Sequence, residues 1–166
     1  MYRVNVSARY IDKIRSDASH GKPGALRRCA AGYEPSMGRR LVVDYGLAKR
    51  AALTELRSGS LARDDACDAH PYLLRAAKYH GEPTDASCPV CDRVRLTHVT
   101  YVYGDELGRY AGRVKAPAEL AAMEHEYGEF RVYVVEVCQS CAWNHLAQSY
   151  VLGHGETAPS GDRQGG

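Results

Sequence analysis

Ser87-Cys-Pro-Val-Cys91 and Val137-Cys-Gln-Ser-Cys141 are the two stretches that decide how this chain folds. Each offers a pair of cysteines with two residues between them. Four thiolates presented in two such pairs are the donor set of a tetrahedral Zn²⁺ site. A site closed by four cysteines leaves no coordination position for water or substrate, so its metal holds a fold together rather than activating a reactant. The motif predicts a zinc ribbon with one structural Zn²⁺ on Cys88, Cys91, Cys138 and Cys141.

Outward from the cysteines, residues 96–103 are dense in β-branched and aromatic side chains and read as a strand. Residues 130–137 lead straight into Cys138, and 143–152 lead away from Cys141, as two further strands. Between the first strand and the second, residues 117–127 read as an amphipathic helix with Leu120, Met123 and Tyr127 on one face and Gly128 as its stop. Three short helices precede the ribbon. The first spans 44–57, with Asp44 as N-cap and Gly59 as stop; the second covers 63–67; the third opens at Pro71 and stops at Gly81. The class is α+β: short N-terminal helices, then a four-cysteine ribbon of about three antiparallel strands with a helical insertion. Residues 1–37 read as a disordered basic arm or a mis-assigned extension, with Met37 as an alternative start of translation. Residues 38–87 read as a helical subdomain, 88–153 as the ribbon and 154–166 as a disordered tail.

Composition bounds the function. With 166 residues, 45% hydrophobic and 25% charged, the chain has the makings of one ordinary domain with appendages. It has neither the run of about 20 apolar residues that a membrane helix needs nor the apolar core of a signal peptide. A cytoplasmic location is expected, where reduced thiols favour metal over disulfides. The formal charge of +2 is uneven. Residues 1–36 hold seven Lys or Arg against three Asp or Glu, leaving 15 against 17 for the rest. An acidic folded body excludes a general affinity for nucleic acid but not a local basic strip. The three helices resemble a helix-turn-helix, yet Asp64, Asp65 and Asp68 sit where a DNA reader needs cations.

Other motifs compete less well. A redox C-x-x-C belongs at a helix N-terminus after a strand, a setting neither pair has. Cys67-Asp-Ala-His70, with His80 further along, offers a second metal pair, but a cysteine in a helical region reads as a small buried hydrophobe. Cys29 in the arm reads as a free thiol. His98, Glu136 and His145 fall on strands near the cysteines, as half-buried strand residues or as a polar group behind the metal. His80-Gly-Glu82 ahead of Cys88 matches the zinc-deaminase order poorly, because Ser87 replaces the proline and the gap leaves no room for a strand between two ligand-bearing helices. No phosphate-binding loop or nucleophile elbow is present. An enzyme is not expected.

The runs Leu41-Val-Val-Asp-Tyr-Gly-Leu-Ala-Lys-Arg50, Cys67-Asp-Ala-His-Pro71, Cys88-Pro-Val-Cys91, His98-Val-Thr-Tyr-Val102 and Val134-Val-Glu-Val-Cys-Gln-Ser-Cys-Ala-Trp-Asn-His145 resemble an actinobacterial family known only as a domain of unknown function. The resemblance covers residues 40–153. It implies a small cytoplasmic zinc-ribbon protein and carries no activity with it. Zinc ribbons without catalytic groups serve as rigid docking modules, and the reading that follows is a non-enzymatic accessory protein docking on RNA polymerase or an initiation factor. Tyr101, Tyr103, Tyr133 and Trp143 are the expected anchors for that partner. The alternatives are a ribosome- or RNA-associated protein using the Arg-rich arm with strand aromatics, and a zinc or thiol enzyme.

Overall fold

Strands rich in valine and tyrosine need hydrogen-bonded neighbours along their edges and side chains over their faces, and the chain supplies both. The computed structural model describes residues 38–154. The basic arm, Cys29 and the tail beyond His154 lie outside the described residues. In chain order the elements are β1 (Arg40–Asp44), α1 (Gly46–Ser58), α2 (Arg63–Ala66), α3 (Pro71–His80), β2 (Glu82–Ser87) and β3 (Arg95–Tyr103). A 3₁₀ segment (Asp105–Tyr110), β4 (Arg113–Val114), α4 (Pro117–Glu126), β5 (Phe130–Val137) and β6 (Asn144–Leu152) follow.

All strand pairings are antiparallel, in the order β1-β6-β5-β3-β2, with β4 also on β3. β5 lies in the middle and is covered on both faces, so it reads as a continuous apolar run rather than an alternating one. Register places Val99 opposite Val135 and Tyr101 opposite Tyr133 on one face, with Val102 opposite Val132 on the other. α3 lies on the first face, where Leu73 and Ala77 pack against Val99, Tyr101, Tyr133 and Val135. Leu73 has no exposed surface, a burial that contributes about 1.5–3 kcal/mol. On the opposite face Leu53 of α1 meets Leu96 and Trp143 near the cysteines. Leu120 and Met123 of α4, with Leu107 of the 3₁₀ segment, cover Val102, Val132 and Tyr150 at the far end.

The expected helices are present, and their ends follow from capping chemistry. The Asp44 carboxylate accepts the Gly46 N–H at 2.6 Å, one residue ahead of the N-cap position, which Tyr45 occupies. Gly59 closes α1 in the left-handed conformation, φ 78°. In α3, Pro71 fills the first turn and His70 is the cap, its Nδ1 accepting the Tyr72 N–H at 3.2 Å.

The three expected strands are β3, β5 and β6, but the sheet has six. The stretch expected to be helical carries β1 and β2 at its two ends. β2 is Glu-Pro-Thr-Asp-Ala-Ser, a polar run with little strand propensity. It is strand because it forms the outer arm of a hairpin with β3, where the Thr84 hydroxyl donates to the Leu96 carbonyl at 3.0 Å. Pro83 is tolerated there because an edge strand can spare its N–H.

Candidate metal centre

Both cysteine pairs sit in hairpin turns of matching construction. Cys88 to Cys91 connect β2 to β3; Cys138 to Cys141 connect β5 to β6. In the first turn the Asp92 N–H donates to the Cys88 carbonyl at 3.0 Å, and the Cys88 N–H donates to Val94 at 3.0 Å. In the second the Ala142 N–H donates to the Cys138 carbonyl at 3.0 Å, and the Cys138 N–H donates to Trp143 at 2.8 Å. The residue after each second cysteine takes a left-handed backbone, Asp92 at φ 51° and Ala142 at φ 62°. Pairing of β3 with β5, with Thr97 opposite Val137, carries the two turns to the same end of the sheet.

The four Sγ atoms lie within 4.8 Å of one another. Cys88 Sγ is 3.7 Å from Cys141 Sγ, and Cys91 Sγ is 3.6 Å from Cys138 Sγ. Disulfide sulfurs stand about 2.05 Å apart, so these are separate thiols. Four sulfurs at about 2.3 Å from a common ion, at tetrahedral corners, stand about 3.8 Å apart. The spacing is therefore that of ligands sharing one ion, and the all-sulfur set could hold a soft or borderline metal. The Cys141 N–H points to Cys138 Sγ at 3.5 Å, a contact that favours the thiolate.

Burial and backbone donors pull the four thiols in different directions. Burial pushes the Cys88 and Cys138 thiols up and carries Cys141 to about 12. Cys91 alone is drawn down to about 7, chiefly by the Arg93 backbone N–H. Three of the four thus resist ionisation without a metal, whereas a coordinated divalent ion deprotonates its thiols outright. The half-buried Cys67 lies beside this group, its thiol in hydrogen-bonding contact with Cys141 and its pKa raised by burial. It packs with Leu61, Leu53 and Trp143, half-buried rather than fully buried, and beside the four converging cysteines. His70 is used as the cap of α3 and does not join it. Among the described residues the four cysteines are the group of three or more His, Cys, Asp or Glu that converges as a metal site.

His98, Glu136 and His145 stand in one register row on β3, β5 and β6. Its middle residue is tied to α1. Glu136, 5% exposed, receives Lys49 Nζ from α1 at 2.7 and 2.8 Å on its two oxygens and Trp143 Nε1–H at 3.3 Å. Trp143 stacks on His145 at 6.0 Å between centroids and packs with Cys88 and Cys138. Burial holds the His98 imidazole below its ordinary range. Sequence reasoning missed Lys49, which reads as a solvated helix cation until the fold sets it over a buried carboxylate.

The aromatic anchors need correction. Tyr101, Tyr133 and Trp143 are 0%, 2% and 1% exposed, and Tyr103 is half-buried with its ring edge-on to Tyr133 at 5.6 Å. They are core, because a sheet covered on both faces has no bare face for its tyrosines. Among the described residues the exposed large apolar side chains are instead Leu41, Val42 and Val43 of β1, Leu47 of α1, Tyr72 and Tyr79 of α3, and Val94.

The chain belongs to a family of unknown function, DUF5318, whose model matches residues 36–165. It is similar to the uncharacterized protein Rv0049 of Mycobacterium tuberculosis, strain H37Rv, at 48% identity over 111 residues, which is 67% of this chain and 81% of that one. The uncharacterized protein Mb0050 of Mycobacterium bovis shows the same identity over the same share of each chain. No solved structure matches.

Proposed function

We propose that this chain is a non-enzymatic accessory protein in which one structural Zn²⁺ fastens two hairpin turns, and that it docks on RNA polymerase or an initiation factor. The observation that carries the reading is the set of four cysteine sulfurs at tetrahedral spacing, two buried and two half-buried. With every ligand position taken by sulfur, the metal has no site for a reacting water, and its task is mechanical. Cys88 and Cys91 would hold it from the β2–β3 turn, and Cys138 and Cys141 from the β5–β6 turn. No helix among the described residues is long and apolar enough to cross a membrane.

Docking is supported by the surface at the β1 edge of the sheet. β1 is an edge strand, and Leu41 (66%), Val42 and Val43 stand exposed with Leu47 (75%) of α1 beside them. An exposed apolar edge strand offers both unpaired backbone groups and side chains to a partner strand. The acidic balance of residues 37–166 suits a basic protein surface. The assignment to the transcription machinery follows the common use of catalytically silent zinc ribbons.

The test is affinity purification of the tagged chain from its host after nuclease treatment, with mass spectrometry of what co-purifies. Near-stoichiometric polymerase subunits or an initiation factor, lost in a Leu41→Asp/Val43→Asp variant, are expected. Ribosomal proteins that come down only without nuclease, or an unchanged partner set in the variant, would overturn it.

A further inference from the structure

A second surface, away from β1 and reaching the Cys138–Cys141 turn only at Gln139, has a different chemistry. Tyr72, Arg75 and Tyr79 recur along α3 at the spacing that places side chains on one helix face, with Lys78 next to Tyr79. All four are exposed, Tyr79 at 67%. The Arg75 guanidinium lies 5.7 Å from the Tyr72 ring centre, and Lys78 Nζ lies 5.3 Å from that of Tyr79.

Two open hollows flank this ridge. One, about 340 Å³, is lined by Leu74, Arg75, Lys78, Tyr79 and Gln139. The other, about 220 Å³, is bordered by Tyr72, Arg75, Tyr79 and His80, with Tyr101 and Val114 also lining it. The second exists because β3 has two successive neighbours on one side. β2 pairs with it as far as His98 and β4 takes over at Tyr101, so the edge is interrupted between them. Arg75 and Tyr79 line both hollows.

The charge here runs against the rest of the folded part. α3 carries Arg75 and Lys78 and no acidic residue; the segment 109–115 that supplies Val114 also has none, though its Arg109 and Lys115 lie over the Tyr110 ring. Glu82 follows α3 in sequence, and Glu119 is already held by Lys115 at 2.8 Å. Within the second hollow, Tyr101 is wholly buried and its hydroxyl has no hydrogen-bond partner.

We infer that the α3 face binds single-stranded nucleic acid, with Tyr79 as the stacking platform, Tyr72, itself stacked on His70, beside it, and Arg75 and Lys78 on the phosphates. Exposed rings alternating with cations satisfy both halves of such a ligand, since every base has a π-face and every linkage a charge. Each hollow is large enough for a base turned out of the stack, and both are open, as a threaded strand requires. An acidic peptide would use the cations but leave the rings and hollows unfilled. A duplex keeps its bases inside and loses the stacking.

The test uses the full chain and fluorescein-labelled 12-nucleotide RNA and DNA strands, a duplex of the same length, and an acidic peptide, followed by fluorescence anisotropy. Binding of one or both single strands is expected to weaken about sevenfold between ~50 and ~200 mM salt for the Arg75 and Lys78 contacts. Tyr79→Ala is expected to cost about fivefold or more, and Arg75→Glu to abolish binding, with unchanged melting temperatures because both side chains are exposed. Preference for the RNA or the DNA strand would identify the source of the ligand. Equal binding of the peptide or duplex, no binding of either strand, or strand binding that survives both substitutions would overturn the inference. Loss of polymerase co-purification has no bearing on it, because these oligonucleotide measurements need no protein partner.

Discussion

Replacement of Cys138 by serine tests what the metal does for the fold. Cys138 has no exposed surface, its sulfur is 3.6 Å from Cys91, and its backbone N–H closes the second turn on Trp143. Structural zinc supplies about 10–16 kcal/mol of apparent binding free energy, against a net stability of about 5–15 kcal/mol for an ordinary domain. Serine is a poor ligand for a thiophilic ion, so the variant forfeits most of that sum. The seven-pair β3–β5 ladder and the core over α3 and α4 remain, and they retain part of the stability. A net loss of at least about 5 kcal/mol is expected, and at about 4 °C per kcal/mol this lowers the melting temperature by at least ~20 °C. Circular dichroism melts of the wild type, the variant and the chelated wild type, with refolding on added Zn²⁺, measure it. Cys67→Ser, beside the site but outside its four sulfurs, should keep the metal and melt within about 4 °C of wild type. A fully metal-free wild type melting within about 5 °C of the loaded protein would refute the structural role.

Three further outcomes follow from the same geometry. Lys49→Met leaves the buried Glu136 carboxylate with the Trp143 N–H as its donor; because Lys49 is partly exposed the expected cost is about 2–3 kcal/mol, and pairing it with Glu136→Gln should recover at least half in urea denaturation. His98 is a base whose folded pKa is depressed by burial, so it contributes stability above its unfolded value of about 6.5 that is lost as pH falls through the folded value. Wild type should therefore lose more stability than His98→Gln between about pH 7 and pH 5, and parallel profiles would contradict the burial argument. Tyr101→Phe removes a buried hydroxyl that has no partner, so it should be neutral or stabilising by up to about 1 kcal/mol, whereas a loss above that would mean the hydroxyl is hydrogen-bonded.

The parts of the fold legible in the sequence were those that local chemistry dictates. Pro71 and Gly59 mark helix ends, and the Val-Tyr runs mark β3, β5 and β6, because capping and strand propensity act within a few residues. β2 was illegible because its strand character comes from the hairpin it shares with β3, and β4 because two residues carry no period. The convergence of the four cysteines was plain from spacing. Lys49 was not, since its role depends on α1 crossing a carboxylate far away in sequence. The four aromatics misled because a strand tyrosine reads the same whether its face is bare or covered, and here α3, α1 and α4 cover both faces. The exposed chemistry lies instead on β1 and α3.

X-ray absorption at the zinc edge, on protein purified without added metal and with zinc quantified per chain, tests the central claim most directly. One zinc per chain with four sulfurs at about 2.3 Å and no nitrogen or oxygen neighbour is the expected result. A chain without zinc, a different metal, or a coordination shell containing nitrogen or oxygen would contradict it.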